Sequence, residues 1–115
     1  MRKKPIDLAV YAELQATTGP EFAIELVDTF LEEAPGMMAE LRAAFANGDN
    51  ERFQRAAHSL KSNANTFGAV GLADLARNLE LRGLDTDPLR DEAALAELEA
   101  AHASAATALK ALSNG

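Results

Sequence analysis

The chain has no cysteine and no tryptophan, only one tyrosine, and no long apolar run. Without cysteine there is no disulfide framework and no thiolate metal site. Positive charge is also scarce: 11 Lys and Arg stand against 18 Asp and Glu, for a net charge of −7. That balance argues against a nucleic-acid binder, whose affinity comes largely from cations on phosphates. No apolar stretch approaches the ~18 residues of a membrane span. Arg2-Lys3-Lys4 opens like a signal peptide, but Pro5, Asp7 and Glu13 interrupt any apolar segment behind it. A Gly-rich phosphate loop is missing too, and with it any sign of an ATP site. These exclusions leave a soluble, cytoplasmic, single domain of 115 residues, free-standing or part of a larger chain, rich in Ala and Leu and therefore inclined to helix.

Punctuation divides the chain into about six helical pieces. The first runs from Asp7 to Ala16 with Leu8, Tyr11 and Leu14 on one face, and residues 1–19 form an N-terminal helix and loop. Pro20 sits at a helix start, where its missing N–H costs nothing. From Pro20 to Glu33 the acids Glu21, Glu25, Asp28 and Glu32 form one solvated stripe. The apolar remainder, Phe22, Ile24, Leu26, Val27, Phe30 and Leu31, spans roughly 200°, where a core-facing helix needs an arc of ~100° or somewhat more. The surplus either meets the first helix or forms a docking surface.

Pro35-Gly36 marks a kink or restart, after which Met37, Met38, Leu41, Ala44 and Phe45 continue an apolar stripe to Asn47-Gly48-Asp49. Asp49 or Asn50 caps a helix to about Thr66, and after a turn at Gly68 another runs from Ala69 to Arg82 with Leu72, Leu75, Ala76 and Leu79 inward. The last helix opens at Asp85-Thr86-Asp87-Pro88 and repeats Leu95, Leu98, His102, Ala105, Leu109 and Leu112 at threes and fours. One apolar stripe per helix and short loops predict an all-α fold: an antiparallel up-down four-helix bundle over residues 20–112 with an additional N-terminal helix packed on it.

The two histidines differ. His102 takes a seam position where leucine is expected, so a packed, hydrogen-bonded structural role outweighs chemistry. His58 lies about 140° round its helix from Phe53, at 100° per residue, while Phe53, Ala56, Ala57, Leu60 and Ala64 form the core face. Its angular neighbours are Gln54, Ser62 and Asn65, with Arg55 and Lys61 a little further round. Metal binding does not fit: Glu99 and His102 make one Glu-x-x-His pair where di-metal bundles need two plus further carboxylates, and Arg55 would repel a cation. Nucleophile–base sets need a converging pocket, and a convex helix face offers none. An exposed imidazole is itself nucleophilic at cytosolic pH. A nearby ammonium stabilises an accepted phosphoryl group, and small residues one turn away let a second protein approach. The pattern is that of a phosphoryl carrier.

The residues His58-Ser59-Leu60-Lys61-Ser62, then Asn63-Ala64-Asn65, Phe67-Gly68-Ala69 and Leu72-Ala73-Asp74-Leu75-Ala76 running to Leu79-Glu80 resemble the histidine-containing phosphotransfer (HPt) domains of multistep two-component phosphorelays. The likeness covers about residues 20–83 by motif and the ends by architecture. It implies that His58 is the phosphoacceptor on Nε2, that Lys61 neutralises the phosphoryl group, and that Glu80 accepts from Nδ1–H and fixes the tautomer. Ser62 stands where the family prefers Gly, which bears on partner choice or rate. By the same resemblance the partners are response-regulator receiver domains or a hybrid histidine kinase, docking around His58 on Gln54, Arg55, Ser62 and Asn65. The chain needs no cofactor and no metal, Mg²⁺ belongs to the receiver, and the carrier is a monomer. The competing readings are a helical adaptor with an incidental histidine and a pseudo-HPt that binds a receiver without accepting phosphate.

Overall fold

The computed structural model describes residues 5–114; the Arg2-Lys3-Lys4 cluster lies outside them. Five helices follow in order: α1 (Leu8–Thr18), α2 (Pro20–Asn47), α3 (Asn50–Thr66), α4 (Val70–Arg82) and α5 (Pro88–Asn114). Helices α2, α3, α4 and α5 close a ring of neighbours, each packed on the next and α5 back on α2, while α1 lies on α2 and α3. The all-helical bundle with an added N-terminal helix is as the apolar stripes predict. It is built because each long helix has one face it must bury, and four such faces enclose one core.

The starts and stops have local causes. Asp7 caps α1, its carboxylate accepting from the N–H groups of Ala9 and Val10 at 3.0 and 3.4 Å. Asp49 caps α3 by accepting from Arg52 N–H at 3.1 Å. Gly68 turns the chain between α3 and α4 at φ +78°, and a Cβ there would lie 2.7 Å from the Asp7 carbonyl oxygen. The close approach exists because Asp7 N–H donates to the Gly68 carbonyl at 2.7 Å, tying the start of α1 to the α3–α4 turn.

Of the kink or restart read at Pro35-Gly36, the restart does not occur, and five helices replace the six pieces: α2 runs 28 residues as one helix. Proline removes one hydrogen bond inside a helix. Here Pro35 and Gly36 are both exposed, and Ala34, Met38 and Leu41 are buried on either side of the proline. Tertiary packing overrides the local signal.

One further expectation shifts, and one alternative left open is narrowed. Leu8 is 51 % exposed rather than on the buried face with Tyr11; the anchor of α1 is instead Ile6, 3 % exposed and just ahead of the helix. In α2, the surplus apolar arc is not covered by α1 at Phe22 and Ile24, which remain exposed, whereas Leu26 and Leu31 pack against the core. Ala23 fills the inward position. On α3 the buried set is Phe53, Ala56, Ala57, Leu60 and Ala64, the face read from the sequence. On α5, Leu95, Leu98, Ala105 and Leu109 are buried and form the seam.

His102 is half-buried on that seam, its ring edge-on to Phe30 at 6.4 Å between centroids. The expected hydrogen bond is missing: Nε2 is buried without a partner. Apolar helices surround the site, and burial alone pulls the imidazole below its ordinary value. The sign follows from linkage. A histidine whose folded value lies below ~6.5 stabilises fully above that pH, and the stabilisation is lost as pH falls beneath it. His102→Leu therefore gains on wild type as the pH drops from about 7.5 to about 5.5, when melting temperatures are compared. A constant difference between the two proteins over that range contradicts the assignment.

Candidate functional site

His58 stands in the third turn of α3, on the side away from Phe53 and Leu60, which are both fully buried. Because the helix is fixed from below by that apolar face, the imidazole is held out from a rigid element: its side chain is 58 % exposed. The antiparallel neighbour α4 brings Glu80 against it. His58 Nδ1 lies 2.5 Å from Glu80 Oε2, and Lys61 Nζ donates to Glu80 Oε1 at 2.7 Å. One carboxylate thus serves two partners, with one oxygen for each.

Lys61 and then His58 hold the Glu80 carboxyl below its usual range, against the opposing effect of burial. Glu80 is therefore ionised at neutral pH and can only accept. The proton of the neutral imidazole sits on Nδ1, facing Glu80, and Nε2 keeps its lone pair. An exposed ring of fixed tautomer with a free nucleophilic nitrogen is equipped for group transfer to an incoming electrophile. The ammonium of Lys61, one helical turn away, supplies positive charge beside it.

The surface around His58 is an open concavity rather than the convex face expected, because α4 rises beside α3; it is lined by Glu51, Gln54, Arg55, Ser59, Lys61, Glu80 and Leu81. Gln54 and Arg55 belong to it. Ser62 and Asn65 are exposed on the same helix, towards its C-terminal end, but do not line this concavity. Gln54 is only partly exposed, and its amide nitrogen donates to the Glu80 backbone carbonyl at 2.9 Å. A smaller groove between α2 and α3 continues from Ser59 over Ala56, Gly36 and Met37 to Glu33 and Glu40. Glu40 is paired with Arg52, so α2 and α3 are linked by an ion pair at the edge of this groove.

Leu81 was not singled out in the sequence, yet it lines the concavity with His58 and is 69 % exposed. Its signal was available: it follows Glu80 directly and cannot share the inward direction of Leu79. Asn50, read from sequence only as an alternative cap, reaches across to the chain just past α4 instead, accepting from Leu84 N–H at 2.8 Å. Among the described residues no group of three or more His, Asp or Glu side chains is arranged to hold a metal ion, and no helix is long and apolar enough to cross a membrane.

This arrangement has relatives. A sequence model of the Hpt domain matches residues 25–113. Among solved structures, the chain is similar to histidine-containing phosphotransfer protein B (HptB) from Pseudomonas aeruginosa PAO1, with a TM-score of 0.84 and 26 % sequence identity, covering 98 % of this chain and 97 % of that one. No curated protein matches the sequence. With the family match extending over most of the sequence and including His58, Lys61 and Glu80, the chain belongs to the Hpt domain family, whose role is histidine phosphotransfer in phosphorelays.

Proposed function

We propose that His58 accepts a phosphoryl group from the aspartate of one receiver domain, or from a kinase, and passes it to the aspartate of another. The observation that carries this reading is the Glu80 carboxylate on His58 Nδ1, which leaves the exposed Nε2 as the nucleophile. In the forward step the Nε2 lone pair attacks the phosphorus of an aspartyl phosphate. The N–P bond forms as the bond from phosphorus to the aspartate oxygen breaks, and the carboxylate leaves with that electron pair. The Nδ1 proton stays between the ring and Glu80, which offsets the positive charge the ring acquires. Return of the phosphoryl group to a second aspartate reverses each change. Such transfer asks for positioning and charge compensation, with little covalent work from the protein. Mg²⁺ belongs to the acidic pocket of the receiver, and the carrier supplies no cofactor of its own.

Arg55, Ser62 and Asn65 form the polar part of the docking surface around His58, and Leu81 contributes an apolar contact at its α4 side. The carrier acts as a monomer, since a single face presents the imidazole. Incubation with a phosphorylated receiver tests the reading: the protein takes up acid-labile, alkali-stable phosphate. Binding of the receiver without any label identifies a pseudo-HPt, and neither binding nor label leaves the adaptor.

Lys61 compensates charge in two states, holding Glu80 at rest and the phosphoryl group after transfer. Lys61→Ala slows uptake or speeds loss of label on the order of ten-fold, the effect of one charge-assisted hydrogen bond. The melting temperature changes little, because the pair is partly exposed and such pairs contribute little to stability. A large fall in melting temperature with unchanged transfer assigns Lys61 to structure and contradicts this role.

A further inference from the structure

Beneath the His58–Glu80 contact a chain of amide hydrogen bonds runs along the seam between α3 and α4. Leu84 N–H donates to Asn50 Oδ1 at 2.8 Å, Asn50 Nδ2 donates to Gln54 Oε1 at 3.3 Å, and Gln54 Nε2 donates to the Glu80 carbonyl at 2.9 Å. Asn50, Gln54 and His58 are spaced four residues apart and stack on one side of α3. The chain has one direction. Asn50 Oδ1 must face the Leu84 N–H, which turns Nδ2 towards Gln54; Gln54 must then present Oε1 to it and Nε2 to Glu80.

The target of this chain is the end of α4. The last carbonyls of a helix have no partner within it, and Glu80 sits in the last turn before the C-cap Gly83. Gln54 supplies the missing donor. Gly83 confirms how closely the amides press on the backbone: it is buried, has φ +69°, and a Cβ there would lie 2.5 Å from Asn50 Oδ1 and 3.1 Å from Gln54 Nε2. The two amides therefore grip the chain on both sides of Gly83, at Glu80 in the last turn of α4 and at Leu84 just beyond it. The residue whose carbonyl is gripped is the one whose carboxylate reaches His58 and Lys61.

We infer that Asn50 and Gln54 are positioning residues of the phosphotransfer site, which hold the end of α4 so that Glu80 keeps the His58 ring in its Nδ1–H tautomer. The inference rests on His58 as the phosphoacceptor. It also places Gln54 in the support of the site rather than in direct contact with a partner.

Two substitutions separate the hydrogen bond from the volume. Gln54→Glu keeps the shape but turns an acceptor towards the Glu80 carbonyl, and Gln54→Met fills the space with no donor. Nitrogen-15 NMR of the imidazole in the unphosphorylated protein reads the tautomer. Single-turnover uptake from a phosphorylated receiver, measured over receiver concentration, reads the maximal rate and the half-saturating concentration separately. In both variants the neutral ring becomes a mixture of tautomers and the maximal rate falls about ten-fold, while half-saturation moves less than about two-fold. In a Glu80→Gln background, Gln54→Met adds little further loss, because the amide acts through Glu80. Unchanged tautomer and rate in both variants, or fully additive losses in the double variant, overturn the inference. If the Gln54 variants do not fold, Asn50→Asp retains the acceptor for Leu84 while losing the donor to Gln54, and is read in the same way. If the wild type takes no label, the phosphoacceptor reading has failed; the tautomer measurement, made without phosphate, still decides whether the amides orient the ring.

Discussion

His58→Gln abolishes phosphoryl uptake and leaves the melting temperature within about 3 °C of wild type, as expected of an exposed substitution. Glutamine can still meet the Glu80 carboxylate through its amide nitrogen, so the α3–α4 contact survives the change. What disappears is the second ring nitrogen, and no other exposed nucleophile of this kind stands near: the remaining histidine, His102, is half-buried on the α5 seam with its Nε2 enclosed. Loss of transfer is therefore complete rather than partial. Labelling of the variant at the wild-type level would mean that the phosphoryl group goes elsewhere, and it would remove the main support for the carrier reading.

Phe53→Ala has the largest expected effect on stability. Phe53 is fully buried on the inward face of α3, among the largest enclosed side chains of the protein. Truncating a buried phenylalanine costs about 3–5 kcal/mol through lost transfer energy and the cavity left behind. Against a total of roughly 5–15 kcal/mol for a domain, that is a large fraction. Chemical denaturation checks it, with a midpoint shifted and a slope largely retained. Because α3 carries His58 and packs on both α2 and α4, the variant also loses transfer as it unfolds. A loss below about 1 kcal/mol would show that the core can collapse around the gap, and that α3 is held less firmly from below than the packing indicates.

The two effects separate because α3 has two faces, and both were legible in the sequence. Periodicity alone placed Phe53, Ala56, Ala57, Leu60 and Ala64 inward and His58 outward, since a helix of known pitch converts spacing into direction. The same argument worked for the α5 seam. It failed where neighbours decide the outcome. Pro35-Gly36 carries a strong local signal for a break, yet α2 continues through it as one helix, with buried residues before and after. Leu8 fits an apolar stripe on α1, but Ile6, outside any helical period, takes the anchoring position.

Polar contacts between helices were the least legible. The pairing of Glu80 with His58 came from resemblance to the family, and the geometry places the two side chains in contact, with Lys61 on the same carboxylate. Asn50 and Gln54 gave no sign of reaching the end of α4 and the residues just past it, because a side-chain amide has no period and its partner lies 26 residues or more away in sequence. Asp91 is the clearest case. It drew no reading from the sequence, yet it is 1 % exposed and accepts from Arg82 Nη1 at 2.9 Å and from Asp85 N–H at 3.0 Å. That burial follows from how the α4–α5 connection folds back over the helix start, which no local pattern records.

The most direct test of the account is the position of the phosphoryl group on the ring. After transfer from a phosphorylated receiver, combined phosphorus-31 and nitrogen-15 NMR of the protein distinguishes the two phosphohistidine isomers. With Nδ1–H held by Glu80, the phosphoryl group must appear on Nε2 of His58. A phosphoryl group found on Nδ1, or on any residue other than His58, would contradict it.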